Sequence, residues 1–232
     1  LGNRLDRPAQ AREKLQLLLG KFIGSTNAPQ VQLAIAGTYR REFDWTNTVR
    51  ALEEWVRRYP GHAALPEVEF QRAWFTEQAG GTNALALFTN YVARFPAHSN
   101  APLAQLRIAD FHFSQGAFDT AEASYQLVFQ NTNGADAELK SLARLNAGRS
   151  AFNRRAYRDA TNYFVALVND ERVPRDVQAQ AFFALGDTYL TASQAGEPIA
   201  TDPFGDAINA FSRITNNFAT NRQAAFAMGK IG

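Results

Sequence analysis

Two short stretches decide the fold: YPGHAALP at residues 59–66 and FPAHSNAP at residues 95–102. Each has an aromatic residue followed by proline, a histidine two residues after that proline, and a second proline at its end. All four features recur at a step of 36 residues. Similarity at a fixed step of roughly 20–50 residues is typical of architectures in which each unit stacks on the next. The chain is therefore predicted to consist of repeated units.

The repeat continues along the chain as columns of residues that share a size. One column holds small residues, at which a second helix can approach closely, with Arg72 as the exception. Its small members are Ala36, Ala109, Gly148, Gly186 and Gly229, and with Arg72 included the steps are 36, 37, 39, 38 and 43 residues. Further along each unit, a small residue is followed one helical turn later by a large one, on the same helix face. These pairs are Thr48 and Leu52, Ala84 and Phe88, Ala121 and Tyr125, Ala160 and Phe164, and Ala207 and Phe211.

This pattern resembles the tetratricopeptide repeat, a helical hairpin of about 34 residues. The fifth unit is most similar to the family signature, through Phe182, Leu185, Gly186, Tyr189, Ala207 and Phe211. The third unit adds the glycine between the two helices, Gly116, followed by Phe118. The resemblance covers roughly residues 29–232. It implies an all-α fold, a right-handed α-α superhelix of about five hairpins with a half-repeat at each end.

The predicted organisation is a single solenoid over residues 1–232. Its predicted hairpins span about 29–60, 66–96, 102–131, 136–170 and 175–218, and its half-units span 5–23 and 221–232. Terminal repeats of a solenoid normally carry a polar outer face. Both half-units are instead apolar, with residues such as Leu18 and Met228. We therefore expect these residues to be a segment of a longer array.

Composition excludes several classes of protein. The net charge of +2 arises from twenty arginines and four lysines spread over the whole length, which does not predict a nucleic-acid partner. Arg154, Arg155 and Arg158 form the densest basic cluster, which we interpret as a solvated turn, with an anionic partner as the alternative. No apolar run reaches the length of a transmembrane helix. The absence of cysteine excludes disulfides and thiolate catalysis. The oligomeric state stays open.

No motif in the sequence predicts catalysis. The phosphate-binding glycine loop, the His-Glu-x-x-His zinc motif and the Gly-x-Ser-x-Gly elbow are all missing from the sequence. His62 and His98 occupy the same position of the repeated turn, which indicates a structural role, and His112 falls in a packing column with Tyr39 and Tyr189. We therefore expect no enzyme activity, no cofactor and no metal.

Binding is the predicted use of the fold, because stacked hairpins form a surface lined by their first helices. Inward-facing positions are expected one, four and five residues after the small-residue column, and three before it. The candidate partner-binding residues are Arg40, Arg41, Asp110, Phe113, Arg149, Phe152, Asn153, Asp187 and Thr191. Their mixture of aromatic and charged side chains suits a peptide or a partner helix. Some of these residues are expected only to pack between helices.

The leading hypothesis is a scaffold or adaptor protein of the bacterial cell envelope. The Tyr-Pro-Gly-His and Phe-Pro-Ala-His closures are similar to those of TolA-binding and outer-membrane-assembly lipoproteins. That resemblance implies a periplasmic or outer-membrane-associated location, and the cytoplasm is the alternative. A second hypothesis is an arm that binds glycan or peptidoglycan through stacking on tryptophan. Trp45 and Trp55 fall in or beside helix-packing columns, so Trp74 is the candidate stacking surface. A third is the accessory repeat region of a larger multidomain enzyme.

Overall fold

A computed structural model describes residues 7–130 and 134–231 of the chain. Within these residues the secondary structure consists of twelve α-helices, and there is no strand. The helices are α1 (Pro8–Lys21), α2 (Ala28–Arg41), α3 (Trp45–Arg58), α4 (Leu65–Gln78), α5 (Ala84–Arg94), α6 (Ala101–Ser114), α7 (Phe118–Gln130), α8 (Ala137–Asn153), α9 (Tyr157–Val168), α10 (Arg175–Gln194), α11 (Pro203–Asn217) and α12 (Arg222–Ile231). The predicted all-α helical-repeat fold is confirmed.

Helix starts follow from local chemistry. Asp44, Asp136 and Asp202 precede α3, α8 and α11, and each carboxylate accepts a backbone N–H from the first turn of its helix, at 2.7–3.0 Å. Such a cap satisfies one of the N–H groups that have no partner within the helix. Proline is the second residue of α2 and of α4, in the first turn, where its missing N–H costs nothing.

Every hairpin turn between a first and a second helix has the same backbone geometry. One residue takes a positive φ, and the next residue donates its N–H to a carbonyl five positions back, which closes the end of the first helix. The positive-φ residues are Phe43, Gly80, Gly116, Arg155 and Gly196. The matching hydrogen bonds run from Asp44 to Tyr39, Gly81 to Thr76, Ala117 to His112, Ala156 to Ala151 and Glu197 to Ala192. The repeat seen in the sequence is therefore also a repeat of backbone conformation.

The chain divides into two compact units, Leu1–Asn100 (unit 1) and Ala101–Gly232 (unit 2). Unit 1 contains α1 to α5, and each helix packs against the next one along the chain. Its core gathers Ala36, Leu52, Trp55, Leu65 and Val68. Helix α1 packs on α2 without burying any of its own residues.

Unit 2 contains α6 to α12, and here the first helices of successive hairpins also touch one another. Helix α8 contacts both α6 and α10, and α10 contacts α12. The small-residue column explains the close approach within each hairpin. A Cβ atom added to Gly186 would lie 2.6 Å from Cζ of Phe211, and one added to Gly148 would collide with the ring of Phe164. Each glycine thus leaves room for the aromatic ring of the second helix.

Arg72 departs from this column because the second hairpin has an ion cluster at that position. The buried carboxylate of Glu69 accepts from Nη2 of Arg72 at 2.7 Å and from Nη1 of Arg94 at 2.8 Å. The cluster joins α4 to α5 in place of a small-to-large contact.

Parts of the predicted boundaries cannot be compared with this structure. Residues 5 and 6 of the first half-unit, residue 131 of the third hairpin and residue 232 of the last half-unit lie outside the described residues. The interpretation as a single solenoid stays a prediction beside the two compact units. Among the helices of residues 7–130 and 134–231, none is both long and apolar enough to cross a membrane.

Candidate partner-binding cleft

The nine candidate residues fall at three kinds of position. Arg40 and Arg41 are exposed in the last turn of α2. Asp110 and Phe113 lie on α6, and Thr191 is half-buried near the end of α10. The four others line one cleft of about 200 Å³ in unit 2, which we call the Arg149 cleft. Its walls are formed by Arg149, Phe152, Asn153, Phe164, Gln180, Phe183, Ala184, Asp187 and Gln223.

Arg149 is the charged centre of this cleft. Its Nη1 donates to Oδ1 of Asn146 at 3.1 Å, and its Nη2 donates to Oε1 of Gln180 at 2.9 Å. Both acceptors are neutral amides, and Arg149 has no ion pair with any residue in the described ranges. Burial lowers the pKa of Arg149, because removing the guanidinium from water disfavours its charged form, and the nearby Arg222 acts in the same direction. Because its acceptors are neutral, the guanidinium of Arg149 keeps its full charge and can still pair with an anionic group.

A polar network holds the Arg149 side of the cleft. Tyr125 on α7 donates its hydroxyl to Oδ1 of Asp110 on α6 at 2.7 Å, and Arg107 donates to the other oxygen of Asp110 at 2.9 Å. Burial raises the pKa of Tyr125, and the bond to Asp110 raises it further, so the phenol stays protonated. Asn146 interacts with Tyr125 and with Arg149. Asp110 therefore lies outside the cleft but supports it through this network.

Aromatic rings form the apolar part of the wall and are fixed by their neighbours. Phe152 packs edge-on against Tyr157, with ring centroids 5.7 Å apart. Phe183 packs against Phe211 at 5.5 Å. Rings that are already immobilised lose little entropy when a ligand covers them.

The carboxylate of the cleft is already neutralised. Oδ1 of Asp187 on α10 lies 2.9 Å from Nζ of Lys230 on α12. Because Asp187 has its own cation, the cleft keeps the positive charge of Arg149. Helix α12 supplies another polar lining residue, Gln223, close to its N-terminus.

Comparison with known proteins identifies the fold. No protein-family model matches the chain, and no curated protein matches it. Solved structures do match over nearly all of it. BtubC from P. vanneervenii has a TM-score of 0.65 at 15% identity, covering 92% of this chain and 89% of that one. The C-terminal part of a TPR repeat-containing protein from Cytophaga hutchinsonii has a TM-score of 0.64 at 14% identity, covering 97% and 89%. A tetratricopeptide repeat protein from Parabacteroides merdae has a TM-score of 0.62 at 16% identity, covering 97% and 78%.

The chain has a tetratricopeptide-repeat fold. The first helices of such hairpins are the ones whose exposed faces remain available after stacking. In unit 2 the Arg149 cleft is built mainly from such helices, α8, α10 and α12, with Phe164 contributed by the second helix α9.

Within this tetratricopeptide-repeat fold, the repeated histidines close turns, as the sequence predicts. Nδ1 of His62 accepts the backbone N–H of Ala64 at 3.0 Å. Nδ1 of His98 accepts the N–H of Asn100 at 3.3 Å and lies 2.6 Å from the hydroxyl of Tyr91. His112 is half-buried beside Phe111. The described residues contain no group of three or more His, Asp or Glu side chains that could hold a metal ion.

The basic cluster at the α8–α9 turn is partly internal. Arg154 donates to the buried Glu122 on α7 at 2.7 Å and to Asp159 on α9 at 2.8 Å. Arg155 is the positive-φ residue of the turn, and Arg158 is exposed. All three arginines are exposed, and the interpretation as a solvated turn missed only the ion pairs by which Arg154 connects the end of α8 to α7 and α9.

Sequence reasoning missed Asn146, Gln180 and Gln223, and no residue-type signal distinguishes them. Asn146 precedes Arg149 by one turn on the same face of α8. Gln180 and Gln223 come from α10 and α12, and their places in the cleft depend on how neighbouring hairpins are rotated.

Proposed function

We propose that this protein is a non-enzymatic interaction scaffold that binds a peptide segment of a partner protein in the Arg149 cleft. The observation that carries the proposal is a half-buried guanidinium, held by two neutral amides and bordered by aromatic rings. Burying a charge costs free energy unless it is compensated. A ligand that supplies the missing negative charge gains more here than it would on an open surface.

The lining of the cleft defines the peptide. A carboxylate would pair with Arg149, and an adjacent apolar side chain would cover Phe152 and Phe183. Asn153 is exposed and offers its amide oxygen, while its Nδ2 donates to the carbonyl of Arg149 at 2.8 Å. Aromatic and arginine side chains dominate the binding energy of most protein interfaces. We therefore propose a short peptide with an acidic residue next to an apolar one.

Selection from a random peptide library on the whole chain tests this proposal. We expect enrichment of peptides with neighbouring acidic and apolar residues. In fluorescence polarisation, Arg149→Gln should weaken binding of a selected peptide by about tenfold or more, because truncating one member of a desolvated charge pair costs about 2–5 kcal/mol. The matched control is Arg57→Gln, which removes an exposed arginine of α3 that is not among the candidate residues and should leave the dissociation constant unchanged.

Two outcomes would overturn the proposal. One is a selection that returns no acidic peptide, and the other is equal binding by the Arg149→Gln and Arg57→Gln variants. Asn153→Ala gives an independent reading, because Asn153 is exposed and its loss should not disturb folding. Circular dichroism melting curves would verify that each variant is folded.

We also propose that the protein acts in a bacterial envelope, in the periplasm or at the outer membrane. The support is the resemblance of the closures at Tyr59–His62 and Phe95–His98 to repeats of envelope lipoproteins. Fractionation of native cells, followed by capture of partners from envelope extracts, tests this location. Recovery of the protein and of its partners only from the cytosol would contradict it.

The glycan alternative depends on the exposure of the three tryptophans. Trp55 is buried, and Trp45 stacks on Phe75 with centroids 5.5 Å apart. Trp74 is half-buried and packs beside Phe70 at 6.1 Å. All three indoles therefore contact other rings of the protein.

A further inference from the structure

We propose that a second cleft in unit 2 binds a phosphate-type oxyanion, independently of the Arg149 cleft. This second cleft, which we call the Lys140 cleft, has a volume of about 320 Å³. It lies between the end of α7, the first turns of α8 and the loop that joins α9 to α10. Its volume is at the lower end of the roughly 300–1,000 Å³ of small-molecule sites. A small ligand fits it better than a folded partner does.

The lining of the Lys140 cleft carries an excess of positive charge. Lys140, Arg144 and Arg172 supply three cations, and Asp170 is the only carboxylate among the lining residues. Asp136, Glu138 and Glu171 are close in sequence but are not among those residues. The charge inside the cleft therefore favours an anion.

Asp170 is held mainly by Arg172. Its Oδ1 accepts from Nε of Arg172 and its Oδ2 from Nη2, both at 2.9 Å, and Oδ1 also accepts the backbone N–H of Arg172 at 3.0 Å. These bonds lower the pKa of Asp170 to about 2, so the carboxylate stays ionised and paired at neutral pH. Arg144 also acts on this carboxylate electrostatically, so the three cations of the cleft share one carboxylate and keep an excess of two positive charges.

Lys140 and Arg144 have unused hydrogen-bond donors. Neither side chain forms a hydrogen bond or an ion pair with any residue of the described ranges. Both are half-buried, so their charged groups are partly shielded from water. The guanidinium carbon of Arg144 lies 4.9 Å from the ring centroid of Phe129. This contact orients the guanidinium without using its N–H groups.

The placement of these two cations opposes the stability of the helix. Residues four apart on a helix are neighbours, and two like charges at that spacing repel each other. Lys140 also lies in the first turn of α8, where the helix dipole disfavours a cation. An oxyanion held between Lys140 and Arg144 would relieve both effects. The doubly charged, multiply accepting phosphate group suits this pair of donors.

Titration of the whole protein with inorganic phosphate at constant ionic strength tests the proposal. Calorimetry and the amide NMR shifts of α8 should show saturable binding. The Lys140→Gln/Arg144→Gln double variant should lose at least about tenfold in affinity, since hydrogen bonds to charged groups are worth about this much each. The control is Arg213→Gln, which removes an exposed cation of α11 outside the cleft and should bind phosphate like the wild type.

Phenyl phosphate distinguishes the source of the phosphate group. Tighter binding than inorganic phosphate would identify an organic phosphomonoester, and equal binding would identify free phosphate. Either result supports the site. The proposal is overturned if the wild type shows no saturable shift at millimolar phosphate, or if the double variant and Arg213→Gln bind equally. Peptide binding by Arg149 is unaffected by either result, because the two clefts share no lining residue.

Discussion

Two hairpins of unit 2 and the second hairpin of unit 1 fill the same repeat position in opposite ways. In unit 2, Gly148 and Gly186 have no side chain, and the rings of Phe164 and Phe211 occupy the space. In the second hairpin of unit 1 the position holds Arg72, which extends to the buried carboxylate of Glu69, whereas the first hairpin keeps the small Ala36. In these hairpins a close contact fills the position, made either by a ring or by a paired side chain, so the position does not depend on one residue type. The two contacts are disrupted by different changes, because a ring contact depends on shape whereas a buried ion cluster depends on charge balance.

The largest effect is expected from removing the carboxylate at the centre of the unit 1 cluster. Glu69→Ala leaves the half-buried Arg72 without its carboxylate and also releases Arg94. Breaking a buried pair costs about 3–5 kcal/mol, and we expect about 3 because Arg94 is largely exposed. Amide hydrogen exchange in α4 and α5 measures the loss locally. Glu53→Ala, at an exposed position of α3, should change stability by less than about 0.5 kcal/mol, and equal effects of the two variants would refute the role of the cluster.

The corresponding test in unit 2 adds one methyl group. A Cβ in the Gly148→Ala variant would collide with Phe164, and overpacking of this kind costs about 1–3 kcal/mol. We expect about 2 kcal/mol, seen as faster exchange in α8 and α9. Gly37→Ala is the matched control in unit 1, because a Cβ at this position of α2 meets no atom within 4 Å. It should be neutral or stabilise by up to about 1 kcal/mol, since alanine is the better helix former.

The hairpin turns allow a smaller test of the repeated backbone geometry. Gly116 and Arg155 occupy the same turn position of successive hairpins, with φ of 74° and 65°. Gly116→Ala should cost about 1 kcal/mol, because a Cβ is disfavoured in this region. Arg155→Gly should stabilise by about 0.5 kcal/mol, since relief of the strain exceeds the added entropy of the unfolded chain. Thermal unfolding of both variants checks the opposite signs.

Substitution of Phe43 in unit 1 distinguishes the effect of turn strain on stability from the effect of side-chain packing. Its φ is 57°, but its ring also packs edge-on against Trp45 at 5.5 Å. Phe43→Gly should therefore gain less than Arg155→Gly, because it loses that ring contact. If Phe43→Gly and Arg155→Gly raised the unfolding temperature equally, the ring contact of Phe43 with Trp45 would contribute nothing to stability.

The sequence predicts the elements of this fold better than its contacts. Periodicity and small residues predict the helices and the glycine contacts, because helix geometry fixes which residues share a face. The pairing of Arg72 with Glu69 and Arg94 could not be predicted, because it depends on how α4 and α5 are rotated. Only four of the nine candidate residues meet in the Arg149 cleft, because that grouping also depends on how neighbouring helices are rotated. Leu145, three residues before Gly148, is buried, so this inward-facing position serves helix packing, as was expected for some of the set.

The last comparison concerns two aspartates, one in each unit, whose carboxylates are held by different donors. Asn47 lowers the pKa of Asp44 in unit 1 through side-chain and backbone hydrogen bonds, whereas Arg172 lowers that of Asp170 in unit 2 to about 2. A lowered folded-state pKa stabilises the fold above the unfolded value of 3.8, and this contribution is lost as the pH falls towards the folded value. Carboxyl NMR titration should therefore give a midpoint near 2 for Asp170. Arg172→Gln should raise that midpoint and leave the midpoint of Asp44 unchanged, while Asn47→Ala should do the reverse. If Arg172→Gln left the midpoint of Asp170 in place, the pairing that neutralises Asp170 in the Lys140 cleft would be wrong.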